Sequence, residues 1–159
     1  MKLSDARLAT AVMAGLLLSA IVATAQTDPA LGTWSVNAAK SKFTPGPALK
    51  SGTVIFAKAG QGIHVVADLV DVTGATQHSE YTANYDGKDY PLKGVPIADM
   101  VSLKRIDARS TQRADKKAGK VVQTYDRTVS ADGKTLTVIQ KGTDAKGKAF
   151  NNTIVFEKK

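Results

Sequence analysis

Apolar and polar residues alternate along most of this chain, and no stretch holds a helical period for long. Alternation with a period of two marks strands that bury one face. It predicts strands over 31–37, 53–58, 63–72, 76–86, 99–107, 110–114, 120–130, 134–142 and 149–157. Short turn signals separate them. Asp86-Gly87-Lys88 and Asp132-Gly133-Lys134 place Gly after Asp, where a tight hairpin needs a positive φ. Lys117-Ala118-Gly119-Lys120 and the run from Asp144 to Lys148 read as slightly longer hairpin loops. Hairpins in sequence build an antiparallel meander, and a meander of this many strands removes its free edges by closing. The expected fold is therefore all-β, an up-and-down barrel of about 8–10 strands.

The alternation also assigns faces. Phe150, Ile154 and Phe156 share a face with Asn152; Leu136 and Val138 share one with Gln140; Val121, Tyr125 and Val129 share one with Gln123 and Arg127. Thr128, Thr135, Thr137, Lys141, Thr153 and Glu157 fall on the opposite, solvent side. A buried polar group needs a partner or a water. Polar groups repeated on inner faces thus imply either a wet or ligand-bearing interior or positions at the rim, and the sequence leaves both open. Two segments lack periodicity, 38–50 and the loop around Pro91, Gly94 and Pro96. Both are candidates to cover a barrel mouth.

The N-terminus breaks the pattern. Lys2 and Arg7 precede an almost wholly apolar run, Leu8 to Ala23, which closes on Ala23-Thr24-Ala25. A basic start, an apolar run and a small-x-small site describe a secretion signal, a helix removed by cleavage before Gln26. The run is short for a membrane anchor. Residues 1–25 are thus expected to be a signal peptide, and 26–159 one barrel domain, periplasmic or secreted, with no stable membrane insertion after cleavage.

Composition narrows the chemistry. The whole chain has a net charge of +8 and no cysteine. Disulfides, thiolate zinc sites and cysteine nucleophiles are excluded. The lysines scatter over turns and strand ends without aromatic interleaving, which argues against a nucleic-acid partner. Outer faces rich in Lys, Asp and Thr do not suit a membrane barrel.

Leu31-Gly32-Thr33-Trp34 opens the first strand. A Gly-x-Trp in this place, ahead of an antiparallel meander, resembles the lipocalins and the wider calycin group. The resemblance implies structural roles for Gly32 and Trp34, with Trp34 plugging the closed end of a barrel. It also implies an Arg from a late strand packed over that ring, Arg127 in preference to Arg105. The chain past residue 25 further resembles an uncharacterised group of exported bacterial proteins. They share Gly32 to Trp34, Lys40 to Phe43, Tyr81 to Pro91 and Leu103 to Asp107. That resemblance implies a lipocalin-like barrel and brings no catalytic residue, cofactor or ligand.

Three functions stay open. The first is an exported binding protein for a small apolar or amphipathic molecule, with Tyr81, Tyr85, Tyr125, Phe150 and Phe156 as wall. Arg127 or Arg105 would close the base or meet an acidic head group. The second is a structural or interaction module of the cell envelope, with a dry core and an outer apolar patch. The third is a barrel-mouth enzyme, which needs His64 or His78 beside a carboxylate inside the barrel. A hairpin centred on Thr73-Gly74 would set those histidines on opposite faces, which disfavours a metal site between them. No cofactor and no catalytic residue is expected.

Overall fold

The computed structural model describes residues 27–45, 48–144 and 146–159. The expected signal peptide, with its cleavage site before Gln26, lies outside the described residues. Ten strands form one closed antiparallel barrel. They are β1 (Gly32–Val36), β2 (Leu49–Ala59), β3 (Gly62–Asp71), β4 (Thr76–Ala83) and β5 (Asp86–Lys93), followed by β6 (Met100–Arg105), β7 (Ser110–Lys117), β8 (Lys120–Val129), β9 (Thr135–Thr143) and β10 (Ala149–Lys158). Each strand pairs with its neighbour in sequence, and β1 closes the cylinder by pairing with β10, Trp34 opposite Lys158 and Val36 opposite Phe156.

Nine of the ten strands match the alternation. The tenth, β5, replaces what reads as a turn at Asp86-Gly87-Lys88 and a loop at Pro91. It forms because β6 offers a partner: Tyr90 pairs with Val101 and Pro91 with Met100, past a register shift between Asp86 and Asp89. On its other side β5 meets β4 at two positions, Glu80 with Lys93 and Tyr81 with Leu92. A strand so nearly an edge tolerates a proline. The β7–β8 connection is tighter than expected. Ala118 and Gly119 both have positive φ, 47° and 77°, and Lys117 pairs directly with Lys120. This is a two-residue hairpin of the kind that matches strand twist.

A register shift in β8 overturns one face assignment. Asp115 pairs with Gln123 but Lys116 pairs with Val121, so β8 carries an extra residue at Val122. The bulge turns Val121 outward, where it is 55% exposed, although Gln123, Arg127 and Val129 face inward as expected. A bulge re-aims every side chain beyond it in this way.

The barrel has one closed end. Trp34 is fully buried there, and its indole N–H donates to the Ala30 carbonyl at 2.7 Å. The segment Thr27–Leu31 crosses this base, pinned by Asp28. The Asp28 carboxylate accepts from the Ala30 N–H (3.0 Å), the Tyr85 hydroxyl (2.6 Å) and the Arg105 guanidinium (2.6 Å). The expected arginine over Trp34 is not found: the cation over that ring is Lys158, 5.1 Å from the ring centre. Lys158 reaches it across Gly32, whose φ is +123° and where a Cβ would come within 2.9 Å of the lysine chain. Arg105 instead lies over the Tyr85 ring at 4.1 Å.

Candidate functional site

The inward side chains do not fill the barrel. A cavity of about 430 Å³ runs from the mouth toward the base. That falls within the ordinary range for small-molecule sites. Its wall is mainly apolar. Val54, Phe56, Val65, Leu136 and Phe156 surround the inner part, and Leu69 and Phe150 lie nearer the mouth.

The mouth is built by the two aperiodic segments. Residues 42–44 run beside β10, with Lys42 and Thr153 exchanging backbone hydrogen bonds of 2.7 and 2.8 Å. This pairing carries Phe43 to the rim, and Val95, Pro96 and Ile97 of the β5–β6 connection join it there. Both segments were expected to cover the mouth, and both line it. Asp71 and Asp144 stand at the same end, in or beside the β3–β4 and β9–β10 connections.

One side of the cavity is polar, on inner faces of β7 to β10. The Tyr125 hydroxyl donates to Gln123 Oε1 at 2.5 Å, and the Gln140 amide donates to the same oxygen at 3.2 Å. Asn152 donates to Gln140 Oε1 at 3.3 Å and accepts from the Thr44 backbone N–H at 3.0 Å. Each amide thus satisfies its neighbour, which is how polar groups persist inside a barrel. Burial, the chief influence, pushes the Tyr125 hydroxyl up to about 12, against the opposing pull of Arg113. At neutral pH it is an un-ionised donor.

Two arginines stand in this wall. Arg113 makes a paired contact with Asp115, Nε to Oδ1 at 2.5 Å and Nη2 to Oδ2 at 2.8 Å, and both residues are buried. Burial works against its charge, but Tyr125, Tyr81 and Asp115 outweigh that and hold its pKa above the usual guanidinium value. Arg127 is also buried, at 7% exposure, and lies deeper. It pairs in register with Val138, one inward position above the base layer of Val129 and Leu136. Its Nη1 donates to the Tyr81 hydroxyl at 3.0 Å, and its guanidinium lies 5.4 Å from the Phe56 ring centre.

Of the six residues singled out as ligand wall, Tyr125, Arg127, Phe150 and Phe156 line the cavity. Tyr81 is buried behind it, its ring 4.8 Å from the Arg113 guanidinium and its hydroxyl on Arg127. Tyr85 is not on that wall. The chain bends after Ala83, and Tyr85 turns to the base, where burial and then its bond to Asp28 raise its pKa. Arg105 lies there too, beside a separate depression under Thr27–Leu31. Sequence reasoning missed Arg113 and Asp115. The signal was present, since an Arg-x-Asp pair at strand spacing puts both on one face, but the run Gln112 to Lys117 looks uniformly solvated.

The histidines are displaced from their expected places. The β3–β4 register sets His64 opposite Thr82 and Asp68 opposite His78, one residue away from a hairpin centred on Thr73-Gly74. Both rings therefore point to the same, outer face. His78 Nδ1 lies 2.6 Å from Asp68, and His64 lies 2.9 Å from Thr82 Oγ1 and 3.5 Å from Glu80. An enzyme built on a histidine inside the barrel lacks its histidine. Among the described residues no group of three or more His, Cys, Asp or Glu is placed to hold a metal ion. The chain matches no protein-family model and no curated protein, so the lining of the cavity is what speaks for an occupant.

Proposed function

We propose that this chain is an exported, lipocalin-like binding protein of bacterial type, working in the periplasm or outside the cell. It holds a small apolar or amphipathic molecule in the barrel. The observation that carries this reading is the unfilled interior: about 430 Å³ of mainly apolar cavity, open at a mouth framed by Phe43 and Ile97. A barrel stabilised by packing alone would fill that space, since voids weaken a core. The envelope-module reading has less support, because it calls for a dry core and one outer patch. The large exposed apolar side chains Ile55, Val72, Ile106, Val121 and Ile139 sit on different strands and turns.

Native mass spectrometry of the protein purified from its own host tests both parts. The expected spectrum shows a chain beginning at Gln26 carrying a small molecule of constant mass. A bare chain that also fails to bind an apolar fluorescent probe would overturn the binding reading. A full-length chain in a fractionated host would overturn the export reading.

A further inference from the structure

The two arginines of the cavity wall differ in one respect that bears on the occupant. Arg113 is neutralised by Asp115 at contact distance. Among the described residues Arg127 has no carboxylate within ion-pair distance and one hydrogen-bond acceptor, the Tyr81 hydroxyl. A guanidinium carries five donors and stays charged at any pH a protein meets. Among the described residues the side-chain polar atom that is fully buried without a partner is Ser35 Oγ, not an Arg127 nitrogen. The remaining Arg127 nitrogens therefore open onto the cavity that the residue lines. Arg113, Asp115 and Arg127 together leave one positive charge in excess, near the base. The acidic groups Asp71 and Asp144 stand at the opposite end, around the mouth.

We infer that the barrel takes a single-chain amphiphile bearing one negative charge, a carboxylate, inserted head-first against Arg127. This rests on the ligand-binding reading above and names the chemistry of that ligand. An excess of one positive charge fits a monoanion; a doubly charged phosphate would leave a buried negative charge uncompensated. The planar fork of an arginine suits a carboxylate, and the Tyr81 hydroxyl, bonded to Nη1, stands beside it. The tail then runs past Phe56 and Phe150 to the apolar rim at Phe43 and Ile97. The reverse orientation would set the head group beside Asp71 and Asp144.

Calorimetric titration of the chain from Gln26 onward with decanoate, decanol and decylamine at pH 8 tests this. Decanoate should bind about 10- to 100-fold more tightly than decanol, the worth of one charge-assisted hydrogen bond, and decylamine the most weakly. Arg127→Met should abolish the preference for decanoate over decanol, Arg127→Lys should keep part of it, and the surface variant Lys141→Gln should leave it unchanged. Circular dichroism of each variant establishes that it is folded. Equal binding of decanoate and decanol, or a preference that survives in Arg127→Met, overturns the anionic head group and leaves the binding reading standing. Binding of neither removes both.

Discussion

Replacing Arg127 with methionine should raise the melting temperature of the ligand-free domain. Arg127 is 7% exposed and lacks a carboxylate partner among the described residues. Holding a charged group away from bulk water costs several kcal/mol, even after relaxation and partial hydration. The Tyr81 hydroxyl offsets about 1.5–3 kcal/mol of that. The Phe56 ring at 5.4 Å and the Tyr125 ring at 6.0 Å add about 0.5–1 kcal/mol between them. Methionine matches the stem of arginine as far as the ε position, and it introduces no charge. The net gain should be about 1–2 kcal/mol. At about 3–5 °C per kcal/mol for a domain of this size, melting rises by about 3–10 °C. Scanning calorimetry on delipidated protein at pH 7 reads it directly. A fall of 3 °C or more would mean that Arg127 is structurally compensated, and it would refute the reasoning. A rise would mark a group kept at a cost to stability, as binding sites often are.

Other perturbations have definite expected outcomes. Asp115→Ala should destabilise the domain by about 3–5 kcal/mol in urea unfolding, because it strands the buried Arg113 charge; Asp115→Ala with Arg113→Met should recover most of that loss. Ala118→Asn should stabilise by about 0.5–1 kcal/mol, since Ala118 sits at φ 47° in a two-residue hairpin that favours Asn-Gly. A melting temperature unchanged or lowered in Ala118→Asn would argue against the strained turn. The Tyr125 hydroxyl ionises at about 12 in the folded barrel against 10 when unfolded, so the native state binds the extra proton between those values. Its contribution to stability is whole below pH 10 and is lost as pH rises toward 12. Tyr125→Phe should flatten that alkaline loss in denaturant midpoints taken from pH 9 to 12.

Much of the barrel was legible in the sequence because the signals involved are local. A period of two is carried by a few adjacent residues, and so nine strands and the inward placement of Tyr125, Gln140, Asn152 and Phe156 could be read directly. Asp132-Gly133 announced its hairpin for the same reason, and Gly133 has φ 70°. Where the signal was local but contrary, the reading failed. Asp86-Gly87 and Pro91 carry turn chemistry, and only a partner strand at Ser102, Val101 and Met100 makes them a strand.

What the sequence by itself determined is the class of fold, the inward polar face and the lack of any disulfide. What only the tertiary structure decided is everything that depends on register between distant segments. The extra residue at Val122 turned Val121 outward, and a one-residue change in the β3–β4 pairing moved His64 and His78 onto one outer face. Closure of β1 on β10 set Lys158 over Trp34, where Arg127 was expected. Asp28 found Arg105 and Tyr85 across 77 and 57 residues of chain. Pairing is settled by the sum of contacts along a whole ladder, and a single slip exchanges the two faces of a strand. Whether Arg127 met a carboxylate depended on that sum, and it is why the one unpaired arginine among the described residues of the cavity wall could be recognised only in the folded barrel.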